Sequence, residues 1–213
     1  PKVETLKSYN KTILKFIIKY QSSLNIKFAI NDNKWEGSEV FRSACEEGQS
    51  GLAAILLKNA ATLGIDLNAK DNDGWTAFMF ACAGGHADVA KVLMENSTTS
   101  NIDLNAKTNA DMTAFMNACY RGHADVAKVL MENSTTSSID LNAKTNLGRT
   151  AFIYACIFGK TSIVELMLDK ADALQLDLTA KTSTGNTGFQ IAQAKPKTAI
   201  VNLIKAKRPS IAF

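Results

Sequence analysis

The sequence has no run of about eighteen apolar residues, the least that spans a membrane as a helix. Its best apolar stretch, Ile13 to Tyr20, is interrupted by Lys15 and Lys19, so no transmembrane span is expected. Lys2, Glu4 and Lys7 come in quick succession without an apolar signal core, so no secretory leader is expected. Histidine is nearly missing: His86 and His123 are the only two. Both follow a glycine at the start of a helical pattern, and the equivalent positions in the other units are Gln49, Lys160 and Lys197. A function that needs imidazole would be absent there, which favours a structural or solvent-facing role. No Cys-x-x-Cys pair, no Cys/His cluster, no glycine-rich phosphate loop and no dinucleotide fingerprint occur. Without a converging acid, base and nucleophile there is no active site to assign. The chain is not expected to be an enzyme or to carry a cofactor or metal.

Acidic residues are scarce at both ends. Residues 1–37 carry seven lysines against three acids, and residues 187–213 carry five basic residues and no acid. Residues 38–186 carry twelve basic against seventeen acidic residues, so the net +4 hides an acidic centre. Basic ends attract nucleic acid or acidic lipid. The simpler reading is lysines that solubilise two terminal caps. Lys and Arg are not clustered with aromatics on one repeat face, which disfavours nucleic acid as the partner.

What the chain does have is repetition. Thr76-Ala77-Phe78-Met79-Phe80-Ala81-Cys82 returns from Thr113 as Thr-Ala-Phe-Met-Asn-Ala-Cys and from Thr150 as Thr-Ala-Phe-Ile-Tyr-Ala-Cys, a period of 37. Phe41, Ala44 and Cys45 lie one period earlier, and Thr187, Phe189 and Ala192 one period later. A constant period of 20–50 residues marks a solenoid. In each unit a threonine hydroxyl can cap a short helix, with Ser38 the candidate in the first unit. A second helix follows each glycine turn, carrying Val89, Ala90, Val92, Leu93 and Met94 or their equivalents on one apolar face. Stacking these faces makes one continuous core. Before the units, Leu6, Tyr9, Ile13, Phe16, Ile17, Tyr20 and Leu24 recur at helical spacing from Lys2 to about Leu24. This segment is read as an N-terminal cap sealing the end of the array, with a partner-binding or membrane-surface helix as the alternative.

Asp71-Asn72-Asp73-Gly74-Trp75-Thr76, Ala81-Cys82, Gly85-His86, Val89, Leu93 and Asp103-Leu104-Asn105-Ala106 together resemble ankyrin repeats. The match recurs at Gly122-His123 and Asp140-Leu141-Asn142-Ala143 and covers roughly residues 34–208. The resemblance implies an all-α solenoid of paired antiparallel helices joined by short hairpin loops. It divides one domain, 1–213, into a capping helix and loop (1–33), four repeats (34–186) and a C-terminal capping repeat (187–213). Three features depart from the family pattern. Met79, Met116 and Ile153 stand where the family has a histidine, which predicts apolar contact between units instead of a hydrogen-bond network. The period exceeds the usual one by four residues, and an extended second helix is the simplest placement for them, with Leu63 and Leu174 as extra contacts. Asp111 replaces the turn glycine, at some backbone strain. Cys45, Cys82, Cys119 and Cys156 share one repeat position. Units stack about 10 Å apart while a disulfide needs Cα atoms within about 7 Å, so buried, unbridged thiols are expected. Reduced cysteines favour an intracellular, cytoplasmic setting.

The resemblance also implies a non-catalytic protein-interaction scaffold, monomeric, that docks a protein or peptide on its concave side. Alternatives are a nucleic-acid-binding module that uses the basic caps, or a regulatory or inhibitory module of a larger protein. The family's variable positions fall on Ser38, Ser43, Glu46 and Glu47, on Trp75, Phe80, Ala83 and Gly84, and on Met112, Asn117, Tyr120 and Arg121. In the fourth and last units they are Arg149, Tyr154, Ile157 and Phe158, then Asn186 and Ile191. Residues 85–109 and 122–146 differ only at Asn101 versus Ser138, so divergence elsewhere carries information. Trp75, Phe80, Met112, Asn117, Tyr120, Arg121, Arg149, Tyr154, Ile157 and Phe158 are therefore the expected partner-binding set, rich in hot-spot residue types. Simple packing of Phe80 and Tyr154 between units is the competing reading.

Overall fold

The computed structural model describes residues 37–212, so the expected N-terminal helix and the 1–33 cap lie outside the described residues. Five helix pairs follow one another. The first is α1 (Gly37–Glu46) and α2 (Ser50–Lys58), followed by a single turn, α3 (Ala60–Leu63). The second is α4 (Ala77–Gly84) and α5 (Ala87–Glu95), followed by the turn α6 (Ser97–Ser100). Then come α7 (Ala114–Arg121) with α8 (Ala124–Glu132), α9 (Ala151–Ile157) with α10 (Thr161–Lys170), and α11 (Gly188–Ala194) with α12 (Thr198–Lys207). A 3-10 turn, Pro209–Ile211, closes the last pair. Among the described residues no strand forms beyond one isolated bridge, Lys181 to Thr187. None of their helices is long and apolar enough to cross a membrane.

Threonine starts four of the first helices, as its shape demands. The hydroxyls of Thr76, Thr113, Thr150 and Thr187 accept the N–H of Met79, Met116, Ile153 and Gln190. At Thr187 the Gln190 side chain accepts the Thr187 N–H in return, closing a capping box. Ser38 does not take this role. Helix α1 begins at Gly37, ahead of it, and the Ser38 hydroxyl accepts the Asp66 N–H at 2.9 Å, tying the helix to the following hairpin.

First helices pack on first helices and second on second, making two rows around one core. Phe41, Phe78, Phe115, Phe152 and Phe189 repeat inside it, and Met79, Met116 and Ile153 are buried as expected. Contact is closer along the first row than along the second, the sense expected if the first row lines the concave side that the resemblance implies. The second helices are not extended by the four extra residues. Asn59 and Asn96 stop α2 and α5, and a separate turn follows, ending in left-handed backbone at Gly64 and Asn101. Ser138 and Gln175 hold the same backbone in the next two units, at φ 51° and 50°. The Asn59 and Asn96 amides donate to the carbonyls of Ile55 and Val92 four residues back, capping the helix where a longer one would run on. Leu63 is buried and Leu174 packs against the core, so the extra contacts form.

Asparagine rungs fix the spacing between hairpins. Asn68 donates to the Asn101 carbonyl and accepts the Asp103 N–H. Asn105 does the same with Ser138 and Asp140, and Asn142 with Gln175 and Asp177. Asp111 holds φ at 59°, as its place at a turn-glycine position requires, and its carboxylate accepts the Asn146 N–H.

Candidate functional site

The first-helix side carries the candidate residues because each helix there is short and leaves its C-terminal end uncovered. Two aromatic groups result. Trp75, in a hairpin, and Phe80, on α4, have ring centroids 5.2 Å apart, and the Arg121 guanidinium lies 6.0 Å from the Trp75 ring centre. Tyr120 at the end of α7 meets Phe158 edge-on at 4.5 Å and Tyr154 at 6.3 Å. Arg149 stands 5.9 Å from the Tyr154 ring centre. Such ring pairs and cation–ring contacts add order to a face without closing it to a partner.

The ten expected residues do not share one environment. Tyr120 and Phe158 are exposed at 38% and 42%, Arg121 is exposed, and Trp75, Phe80, Met112 and Arg149 are half-buried. Asn117, at 2%, is buried, and its amide donates to the Thr113 carbonyl at 3.0 Å. Tyr154 and Ile157 are buried at 7% and 8%. The fifth position of the repeated heptad, held by Phe80, Asn117 and Tyr154, therefore faces the neighbouring unit more than solvent. The free position is the last residue of the first helix or the one after it: Glu47, Gly84, Arg121, Phe158 and Lys195, 37 apart, are all exposed.

Two clefts open on this side. One, of about 350 Å³, lies between Glu46, Asp71, Asp73, Trp75, Phe80 and Arg121. The other, of about 370 Å³, is lined by Leu147, Arg149, Ile157, Phe158, Ile191 and Lys195 with the hydroxyls of Thr182, Ser183 and Thr184. Leu147, exposed at 47% on its hairpin tip, and Lys195 are not among the ten expected residues. Lys195 could have been found by stepping one period from Phe158. Leu147 could have been found as the one large apolar residue at a position that is otherwise Asp73, Ala110 and Thr184.

The thiols and imidazoles serve the stack. Cys45, Cys82, Cys119 and Cys156 are buried and free, and burial pushes each thiol far above its ordinary 9.0. Nucleophilic thiolate is thereby suppressed. His86 Nε2 donates to the Glu46 carbonyl at 2.7 Å, and its ring lies on Gly48 so closely that a Cβ there would come within 2.4 Å of it. Gly48 has φ 72°, so the turn needs glycine twice over. His123 covers Gly85 in the same way, and the lysine stems of Lys160 and Lys197 cover Gly122 and Gly159. Either side chain fills the same space, so the turn does not require imidazole. Among the described residues no group of three or more His, Cys, Asp or Glu side chains is placed to hold a metal ion.

Two cations of the basic C-terminal end are paired within the protein. Lys207 bonds Asp169 at 2.7 Å and Glu165 at 3.1 Å, and Arg208 bonds Asp172 at 2.8 Å and the Leu168 carbonyl. These contacts hold the Lys207 and Arg208 pKa values up and the Asp172 value down. Two of the five cations expected to solubilise the cap instead join it to the preceding unit.

Comparison with protein families finds the model for ankyrin repeats (3 copies) matching at residues 4–108, 44–145 and 98–182. No curated protein matches the chain.

Proposed function

The chain belongs to the ankyrin-repeat family, and from that premise we propose that it is a non-catalytic scaffold that captures a protein partner on the concave, first-helix face. Members of the family are generally protein–protein interaction modules. One observation carries the choice of face: Tyr120, Phe158 and Leu147, the exposed large apolar side chains among the described residues, all lie on it. Such patches on a soluble fold mark interaction sites. Trp75, Phe80, Met112, Arg121 and Arg149 extend the surface around them. Asn117, Tyr154 and Ile157 support it from within. Pairing of Lys207 and Arg208 leaves Lys195, Lys197 and Lys205 as the cations of the C-terminal end without an ion pair among the described residues, which weakens it as a phosphate-capturing surface.

The test is affinity capture with mass spectrometry, comparing the native chain with Tyr120→Ala/Phe158→Ala. Hot-spot truncations cost at least about 2 kcal/mol of binding, so the captured partners should be lost while the melting temperature stays within a few degrees. Tyr154→Ala is the contrast, because truncating a buried ring unfolds the protein more easily. Retention of every partner by the double variant would place the binding face elsewhere.

A further inference from the structure

The first-helix face is graded in charge from one end of the array to the other. Glu46 ends α1 and Glu47 stands just past it, with Asp71 and Asp73 on the hairpin before α4. From the middle unit onward the signs reverse, with Arg121 at the end of α7 and then Arg149 and Lys195 along the same face. Among the described residues none of these seven groups forms an ion pair, whereas Lys91, Lys170, Lys207 and Arg208 on the outer side all do. Arg121 and Arg149 rest on aromatic rings instead, which positions the guanidinium without neutralising it. Asp71 is engaged in part, since one of its oxygens accepts the N–H groups of Asp73 and Trp75. The remaining charges on the face form no ion pair among the described residues, although Arg121 borders the cleft that Glu46, Asp71 and Asp73 line.

Resting on the concave-face reading above, we infer that the occupant is an extended segment of a partner protein whose charges run in order. Its basic end faces Glu46, Asp71 and Asp73, an apolar or aromatic residue covers Tyr120 and Phe158, and its acidic end faces Arg149 and Lys195. Charge complementarity of this kind sets orientation and partner choice more than raw affinity. The geometry also sets a length. The acidic cleft lies at the first two units and the cationic cleft at the last two, about three inter-helix spacings of roughly 8–10 Å. An extended chain advancing about 3.3 Å per residue covers that with roughly eight residues. A second copy of the protein, turned end for end, would present the same charges in the same order and is the competing occupant.

The experiment uses three fluorescein-labelled octapeptides of equal composition and the full chain. Two peptides carry lysines at one end, leucine and phenylalanine in the middle and aspartates at the other, in the two chain directions. The third interleaves the same lysines and aspartates. One of the two graded peptides should bind on the order of tenfold tighter than the interleaved one by fluorescence anisotropy at low salt. The preference should shrink as salt is added. Arg149→Glu/Lys195→Glu should remove the preference, and a peptide with lysines at both ends should recover binding to that variant. Equal affinity for graded and interleaved peptides, still lost in Tyr120→Ala/Phe158→Ala, overturns the charge order and leaves the concave-face reading standing. Binding of none of the peptides overturns both. A stable dimer in sedimentation that graded peptide fails to disrupt assigns the face to a second copy and overturns the proposal.

Discussion

Tyr154 and Phe158 belong to one aromatic group, stacked at 6.5 Å, yet only Phe158 is open to solvent. Four residues separate them, so both point to the same side of α9, but Phe158 stands just past its end while Tyr154 is covered by the adjacent units. The sequence carried the identity of this face, since residues diverging between near-copied units are legible by subtraction. It did not carry the depth of each residue, because depth depends on how neighbouring units overlap. Cysteine shows the opposite case, where position alone told the outcome. The thiols of Cys45, Cys82, Cys119 and Cys156 stay protonated in the fold, by burial first, with neighbouring Cys45 adding to the rise at Cys82. In the unfolded chain they ionise near the ordinary 9.0. Above that pH the unfolded state holds fewer protons than the native one, so stability falls as pH rises and is intact below it. Each thiol contributes up to about 1.4 kcal/mol per pH unit to that fall. Urea unfolding under reducing conditions from about pH 9 upward should give a shallower decline for Cys82→Ala than for the native chain, by about that amount. Identical slopes would show that the thiols are not held protonated by the fold.

At the scale of elements, the four additional residues of each period were visible in the sequence, but their form was not. Residue count permits an extended helix equally well. At the break the Asn59 and Asn96 side chains bond the carbonyls of Ile55 and Val92, four residues back, a local alternative to the helical ladder that residue count does not reveal. The turn that follows must end in left-handed backbone, and Gly64, Asn101, Ser138 and Gln175 occupy that place in order. Glycine takes this conformation without strain and asparagine takes it at small cost, but glutamine has no local compensation. Gln175 presents an exposed side chain, and its backbone carbonyl receives the Asn142 amide whatever the side chain is. Gln175→Gly should therefore raise stability by roughly 1 kcal/mol, and Asn101→Gly by clearly less, as read from urea midpoints. A loss of stability in Gln175→Gly would show that the fourth unit draws support from that side chain.

For the whole molecule, the near-identity of residues 85–109 and 122–146 makes the array divisible at one chosen place. Removing residues 85–121, one period, joins Gly84 to Gly122 and restores the local sequence Gly-Gly-His-Ala. His123 would then fall on Gly48 as His86 does, because the ring in both units lies on the glycine turn before it. Asn68 would meet the Ser138 carbonyl and the Asp140 N–H, the partners that Asn105 holds in the native chain. Asn146 would replace Asn109, which bonds to the Asp73 carbonyl, and α4 would face α9 through the same Phe and Ala positions. Each unit touches only its neighbours, so stability is close to a sum of unit and interface contributions. The shortened chain should fold cooperatively, with unchanged helical ellipticity per residue and a smaller urea m-value in keeping with its length. Partner capture should fail nonetheless, because the deletion removes Met112, Tyr120 and Arg121 together and brings the acidic and cationic clefts one unit closer. A folded deletion variant that still captures the same partners would show that recognition does not run along the array but rests on one end of it.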